Sequence, residues 1–266
     1  MNDYQEYFDA NKQLWNQRTV VHKDSSFYNL AGFKNGETVL TPIELNELKN
    51  VSGKTMLHLQ CHFGMDSLDW VRRGAEVTGV DLSDHAIEEA KKLNNELGLS
   101  AKFICSNVYD LKEHLDEKFD IVFTSYGTIG WLPDLDKWAD IIVHYLKPGG
   151  LFYIAEFHPV LWMFDDDFTH IKYHYDNREL IVTENEGTYT DRNAAITGKE
   201  YSWNHSISEV LNALINAGLK IESFNEYMYS PYPCFRNSIE TEKGKWHIKG
   251  MEEKLPMVYS IRAVKQ

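Results

Sequence analysis

The residues best suited by type and spacing to do chemistry here are one acid behind a tight turn, and a set of rings and imidazoles beyond apolar runs. From Thr55 to Asp81 the sequence reads TMLHLQCHFGMDSLDWVRRGAEVTGVD. A short apolar run, Met56 to Cys61, breaks at Phe63-Gly64 and passes into a helical pattern from Met65 to Arg73. A second run, Glu76 to Val80, ends in Asp81. Strand, turn, helix, strand and acid is the layout of a nucleotide-binding βαβ unit. The chemistry is recognition: backbone N–H groups and a helix N-terminus approach a polar ligand, and the acid accepts from a ribose hydroxyl pair. Most of the usual glycines are replaced. Gln60 and His62 stand where two would be, and Gly64 remains.

Proton-transfer candidates follow two later apolar runs. Tyr126 and Trp131 lie in TSYGTIGWLPD, and His158 lies in EFHP. A histidine at a strand end is the best base by its ordinary pKa, although His158 precedes Pro159 and could simply cap the strand. Tyr126 could be an acid or a wall. Tyr201-Ser202-Trp203-Asn204-His205 is both aromatic and polar, so Trp203 and His205 read as a substrate-pocket wall or as packing where a helix begins. His58 reads equally as a satisfied core histidine or a ligand contact.

The elements that must position these groups are legible in outline. Residues 1–50 predict a mostly helical arm, with Tyr4, Phe8, Leu14 and Trp15 on roughly one face and Thr41-Pro42-Ile43-Glu44 starting another helix. Phe8, Trp15, Arg18, His22 and Tyr28 make this arm a candidate lid. Residues 51–157 alternate short apolar strands with amphipathic helices, which predicts a parallel sheet covered on both faces. Ser83 caps a helix over 84–97 that Gly98 stops. Residues 160–205 predict an antiparallel insertion, with Asp176-Asn177 as a turn candidate. Ser206-x-x-Glu209 is a capping box before a helix ending at Gly218. Leu219–Tyr227 predicts a strand, Met228 to Trp246 an aromatic loop, and 257–264 a last strand of period two. The expectation is one catalytic domain over 51–266, with the 1–50 arm as lid and a substrate cap at about 160–205.

The series VTGVDLSDHAIEEAKK, AKFICSNVYDL, FDIVFTSYGTIGWLPD and LKPGGLFYIAEFHP resembles the class I S-adenosylmethionine-dependent methyltransferases across about residues 40–160. The Lys147-Pro148-Gly149-Gly150 turn is frequent in that superfamily, and the variant turn HLQCHFG resembles a bacterial subgroup of it. The resemblance implies a Rossmann-like, doubly wound α/β fold: a mostly parallel seven-stranded sheet with an antiparallel last strand. It implies S-adenosyl-L-methionine as cofactor, with Gln60, His62 and Gly64 around its methionyl part and Asp81 on its ribose. Leu82 would pack against adenine, Asn107 would accept from the adenine amino group, and Val108 and Ser125 would line the same crevice. Methyl transfer is an in-line displacement, so positioning, worth about 7–11 kcal/mol, is the main task and a base is optional. A dinucleotide oxidoreductase fits less well, because a second mononucleotide half is missing.

Composition narrows the partners. The 266 residues carry a net charge of −13 and no Lys/Arg run, which argues against a phosphate-binding surface for nucleic acid. The fourth strand lacks N-P-P-Y or D-P-P-Y, so a small-molecule acceptor at O, N or S is expected. Three cysteines, Cys61, Cys105 and Cys234, show no paired or metal-ligand spacing, so no metal is expected. Cys61 and Cys105 read as small buried hydrophobes. The N-terminus lacks a signal-peptide pattern and no run is long enough to span a bilayer, so a cytoplasmic monomer or homodimer is expected. The rival readings are a non-catalytic cofactor-binding or regulatory protein, and a methyltransferase acting on protein or RNA.

Overall fold

Alternating apolar runs build the sheet, and polar-faced helices cover it. The computed structural model describes residues 4–176 and 179–266. In chain order the helices are α1 (Gln5–His22), α2 (Leu30–Lys34), α3 (Pro42–Glu47), α4 (Met65–Arg72), α5 (Asp84–Glu96), α6 (Leu135–Tyr145) and α7 (Ile207–Asn216). The strands are β1 (Thr55–Leu59), β2 (Glu76–Asp81), β3 (Lys102–Cys105), β4 (Phe119–Ser125), β5 (Leu146–Phe157), β6 (Ile181–Glu186), β7 (Thr197–Ser202), β8 (Leu219–Tyr227), β9 (Ser238–Glu242), β10 (Lys245–Ile248) and β11 (Val258–Lys265). The main sheet runs β3-β2-β1-β4-β5-β11-β8. β1 to β5 pair in parallel, while β11 is antiparallel to both β5 and β8. This is the expected doubly wound sheet with an antiparallel last strand. Strand order reverses between β1 and β4, and a crevice opens there beyond the carboxyl ends.

Period-two alternation sorts the core into two layers. Leu57, Leu59, Val122, Ile154 and Ile261 face Trp138 and Ile142 of α6 and Leu214 of α7. Met56, Phe123, Tyr153 and Val258 face Trp70 of α4 and Ile43 of α3. Caps set the helix starts. Ser83 Oγ accepts from the Ala86 N–H, and Thr41 and Glu44 form a reciprocal box. Ser206 Oγ accepts from the Glu209 N–H, but the Glu209 carboxylate turns to His205 Nδ1, 3.2 Å away.

The insertion contains the antiparallel β6–β7 hairpin, as the turn-rich sequence implied. Asn177 of the Asp176-Asn177 turn candidate lies outside the described residues. Three expectations change. Met228 to Trp246 is not only loop, since β9 and part of β10 form a second antiparallel hairpin there. Cys105 is exposed, because β3 is an edge strand with one open face. Gly64 is also required for packing: at φ +81° an added Cβ would meet the Phe103 ring at 2.7 Å and Ala90 Cβ at 2.9 Å. Gly64→Val should therefore destabilise the fold by roughly 2–5 kcal/mol through strain and overpacking, measured by urea unfolding. A variant as stable as the parent would place the constraint in the ligand instead.

Candidate active site

At the β1–β4 switch the backbone turns through three alternate left-handed residues: Gln60 (φ 56°), His62 (φ 50°) and Gly64 (φ 81°). Two of them are not glycine, so their conformation costs energy that the surroundings must offset. Asp81, at the end of β2, supplies part of it. One carboxylate oxygen accepts the His62 N–H at 2.8 Å and the other accepts the Ser83 N–H at 2.8 Å. Burial pushes Asp81 up to about 6. A carboxylate offers about four acceptor sites, so two remain for a hydroxyl pair.

The two side chains replacing glycine stitch the turn to its neighbours. Gln60 Nε2 donates to Thr128 O at 2.8 Å. One of His62 Nε2 and His22 Nδ1 donates to the other across 3.0 Å, and His22 Nε2 lies 2.7 Å from Thr188 Oγ1. Burial holds both imidazoles neutral, His62 at about 3 and His22 at about 2. Gln60 Oε1 and His62 Nδ1 are buried without partners among the described residues. Through His22 and Thr188, the arm and the insertion reach the turn after β1. They are also clamped together: the Asn11 amide donates to Tyr201 O at 2.8 Å and accepts from Tyr201 N–H at 3.0 Å.

Together these elements roof a cavity of about 900 Å³ lined by Gln60, His62, Gly64, Asp81, Leu82, Asn107, Val108, Ser125, Tyr126, Trp131, Trp203 and His205. Asn107 accepts the Tyr109 N–H at 3.1 Å, which starts a 3₁₀ turn and orients its amide. Ser125 donates to Asp66 at 3.1 Å. Trp131 donates to Gly127 O at 2.7 Å, Trp203 N–H to Gly130 O at 2.8 Å, and His205 Nε2 to Leu132 O at 2.8 Å. His58 takes the core role. It is 2 % exposed, with Nδ1 2.7 Å from Ser67 Oγ.

His158 and Tyr126 need correction. His158 does not line the cavity: Nδ1 accepts the Val160 N–H at 3.2 Å and Nε2 lies 3.0 Å from Glu226. Its ring caps the turn beginning at Pro159 and is not free to take a substrate proton. Tyr126 stays in the cavity wall, but its hydroxyl donates to buried Glu44 at 3.0 Å, and burial raises its pKa well above the usual value. That hydroxyl is a strut, not an acid.

Two acids were missed. Asp66, in the first turn of α4, lines the cavity, and burial followed by the Glu44 charge pushes it up to about 7. An acid two residues past the turn glycine was the signal available. Glu156 closes β5 and collects the N–H groups of Gly127, Thr128 and Ile129, with the Thr128 hydroxyl and its neighbour's N–H. It fixes the loop after β4, and only the three-dimensional register shows this.

A crevice at the switch point, an acid on β2 and an antiparallel last strand define a Rossmann-like fold. Residues 57–154 match the family described as "Methyltransferase domain". These residues thus carry a methyltransferase domain of the class I S-adenosylmethionine-dependent type, whose cofactor is S-adenosylmethionine. The chain is 31% identical over 114 residues to a ubiquinone biosynthesis O-methyltransferase of Pseudomonas syringae pv. tomato, covering 42% of this chain and 49% of that one. The chain thus spans about half the length of the curated relatives it matches. Among solved structures it resembles an S-adenosylmethionine-dependent methyltransferase from Mesorhizobium loti, with TM-score 0.58 and 19% identity over 87% of this chain and 100% of that one. A geranyl diphosphate C-methyltransferase from Streptomyces coelicolor gives TM-score 0.57 and 16% identity over 84% and 78%. These structures share the fold.

The cavity fits the cofactor. It is lined by the Asp81 carboxylate and the turn after β1, and its volume is at the upper end of the usual 300–1,000 Å³ for ligand sites. On the reading that ionised Asp81 accepts the ribose hydroxyls, affinity for S-adenosylhomocysteine should be level above pH 7 and fall below about pH 6, by up to about tenfold per unit. Asp81→Asn should bind about 10- to 100-fold more weakly at pH 8 and lose that slope. Titration calorimetry showing the same slope in parent and variant would put the ribose elsewhere.

Proposed function

We propose that this chain transfers a methyl group from S-adenosylmethionine to an O, N or S atom of a small molecule held between the crevice and its roof. The observation carrying this reading is the single continuous cavity. It joins the Asp81 turn to an aromatic wall that includes Tyr28, Tyr126, Trp131 and Tyr232, and it is large enough for a second ligand. The cofactor when bound supplies an electrophilic methyl on a cationic sulfur. The backbone from Gln60 to Gly64 and the Asp81 carboxylate would hold its methionyl and ribose parts, and Leu82, Asn107 and Val108 would hold its adenine.

What remains is positioning, exclusion of water and removal of a proton. Glu156 fixes the 127–129 backbone, and Gln60 ties that loop to the turn, so the two walls of the reaction space cannot drift apart. The arm (residues 1–50) and the cap (about 160–205) exclude water as one roof. Asp66 replaces His158 as the proton acceptor, since a base works best with a pKa near the working pH. The net charge of −13 supports a small acceptor over nucleic acid.

A second reading, a cofactor-binding protein without transfer, draws on the Gln60 and His62 side chains that fill positions glycine would leave open. Incubating the protein with methyl-labelled S-adenosylmethionine and a metabolite extract separates the two. Label moving into a small-molecule fraction supports transfer, and tight binding with no transfer supports the second reading. With an acceptor that must lose a proton, Asp66→Asn should lower turnover about 10²- to 10⁴-fold with cofactor affinity within a few-fold. Unchanged turnover would remove Asp66 from that role. Trp203→Ala should lower turnover while leaving cofactor affinity within a few-fold, and a loss as severe as that of Asp81→Asn would make the cap part of the cofactor site.

A further inference from the structure

One stretch of the cavity wall combines rings with acids. Tyr126, Tyr232, Phe27 and Tyr28 all line it and make an unbroken chain of ring contacts, with successive centroids 5.1, 5.9 and 5.2 Å apart. Burial and then neighbouring charges, Asp66 among them, push the Tyr28 and Tyr232 phenols well above their usual range, which places that acid beside both. One Asp66 oxygen accepts from Ser125 at 3.1 Å, and among the described residues no hydrogen bond involves the other. Close by is buried Glu44, which accepts from the Thr41 N–H, the Thr41 hydroxyl and the Tyr126 hydroxyl. The charges acting on Asp66 are those of Glu44 and Asp69, both of its own sign. Other acids of the cavity are already engaged: Glu200 pairs with Arg18, and Glu156 collects backbone N–H groups. A carboxylate among like charges is relieved by a cation, and ring faces attract the same cation.

We propose that the methyl acceptor is a cationic amine whose ammonium group sits against these rings and pairs with Asp66. The inference rests on the methyltransferase reading of the cavity and names its substrate class. The ammonium gives one N–H proton to the Asp66 carboxylate. The freed lone pair forms an N–C bond to the methyl carbon as the S–C bond breaks, and that bond's electron pair goes to sulfur. The products are S-adenosylhomocysteine and a methylated ammonium, so the rings face a cation before and after transfer. The sulfonium is the other cation of the reaction, and the test separates the two.

Calorimetry on the full chain loaded with S-adenosylhomocysteine compares benzylamine with benzyl alcohol, which are alike in shape and differ in charge at neutral pH. Benzylamine should bind at least about tenfold more tightly. Asp66→Asn should weaken benzylamine about 10- to 100-fold and leave benzyl alcohol within a few-fold. Tyr232→Leu should weaken benzylamine about 3- to 30-fold, and more than it weakens the alcohol. Should either variant fail to fold, the other carries the comparison. Benzylamine bound no more tightly than the alcohol, neither probe bound, or both weakened in parallel would overturn the proposal. So would Asp66→Asn weakening S-adenosylmethionine but not S-adenosylhomocysteine with benzylamine unaffected, because the acid would then serve the sulfonium.

Transfer is read separately, with methyl-labelled S-adenosylmethionine and a metabolite extract. Labelled product should be retained on a cation exchanger at pH 5. Product confined to the unretained fraction would overturn the amine assignment and leave methyl transfer standing. A parent chain that binds no S-adenosylhomocysteine would defeat the methyltransferase reading itself, a result separate from failure at Asp66.

Discussion

The architecture of the site depends on one hydrogen bond, from the His62 N–H to the Asp81 carboxylate. It joins the turn after β1 to the end of β2, and it holds His62 in the left-handed conformation that its Cβ disfavours. The same carboxylate caps the start of the next loop through Ser83. Both bonds are to backbone donors, so Asp81 organises the crevice before any ligand arrives and retains acceptor capacity for one. Burial raises its pKa, and the backbone bonds oppose that rise. The carboxylate is therefore ionised at neutral pH while remaining sensitive to mild acid.

From that constraint the roof follows. Glycine at positions 60 and 62 would adopt the left-handed conformation without strain but would offer no side chain to neighbouring elements. Glutamine and histidine there send side chains outward, one to the loop after β4 and one to α1. The arm is therefore tied to the turn after β1 through His22. Through Asn11 and the Arg18–Glu200 pair it is tied to the insertion as well. Buried α1 residues are largely polar for this reason: Asn11 and Arg18 line the cavity, and His22 joins His62 to Thr188. Glu156 performs the corresponding task below, drawing three consecutive backbone N–H groups into one conformation.

Much of the fold was legible because it rests on local signals. Short apolar runs located β1, β2 and β4, period two located β11, and Ser83 and Gly98 bounded α5 within about a residue. The crevice was legible because Asp81 and the turn lie on one βαβ unit. The reading failed where the answer lies in long-range register. His158 has the right residue type at the right strand end, yet Glu226 of β8 and the Val160 N–H occupy its ring. Tyr126 is directed at Glu44, 82 residues away in sequence. Cys105 follows an apolar pattern on a strand whose edge position leaves one side open. Asp66 and Glu156 look like ordinary surface acids until the sheet brings them to the cavity.

The central claim is that Asp81 and the left-handed turn form a preorganised cofactor site. The most direct test is a crystal structure of the protein with S-adenosylhomocysteine. The account predicts both ribose hydroxyls within hydrogen-bond distance of the Asp81 carboxylate, with the His62 N–H bond intact and the Gln60 and His62 dihedral angles unchanged. A nucleoside bound away from Asp81, or a turn that reaches its left-handed conformation only in the complex, would contradict it.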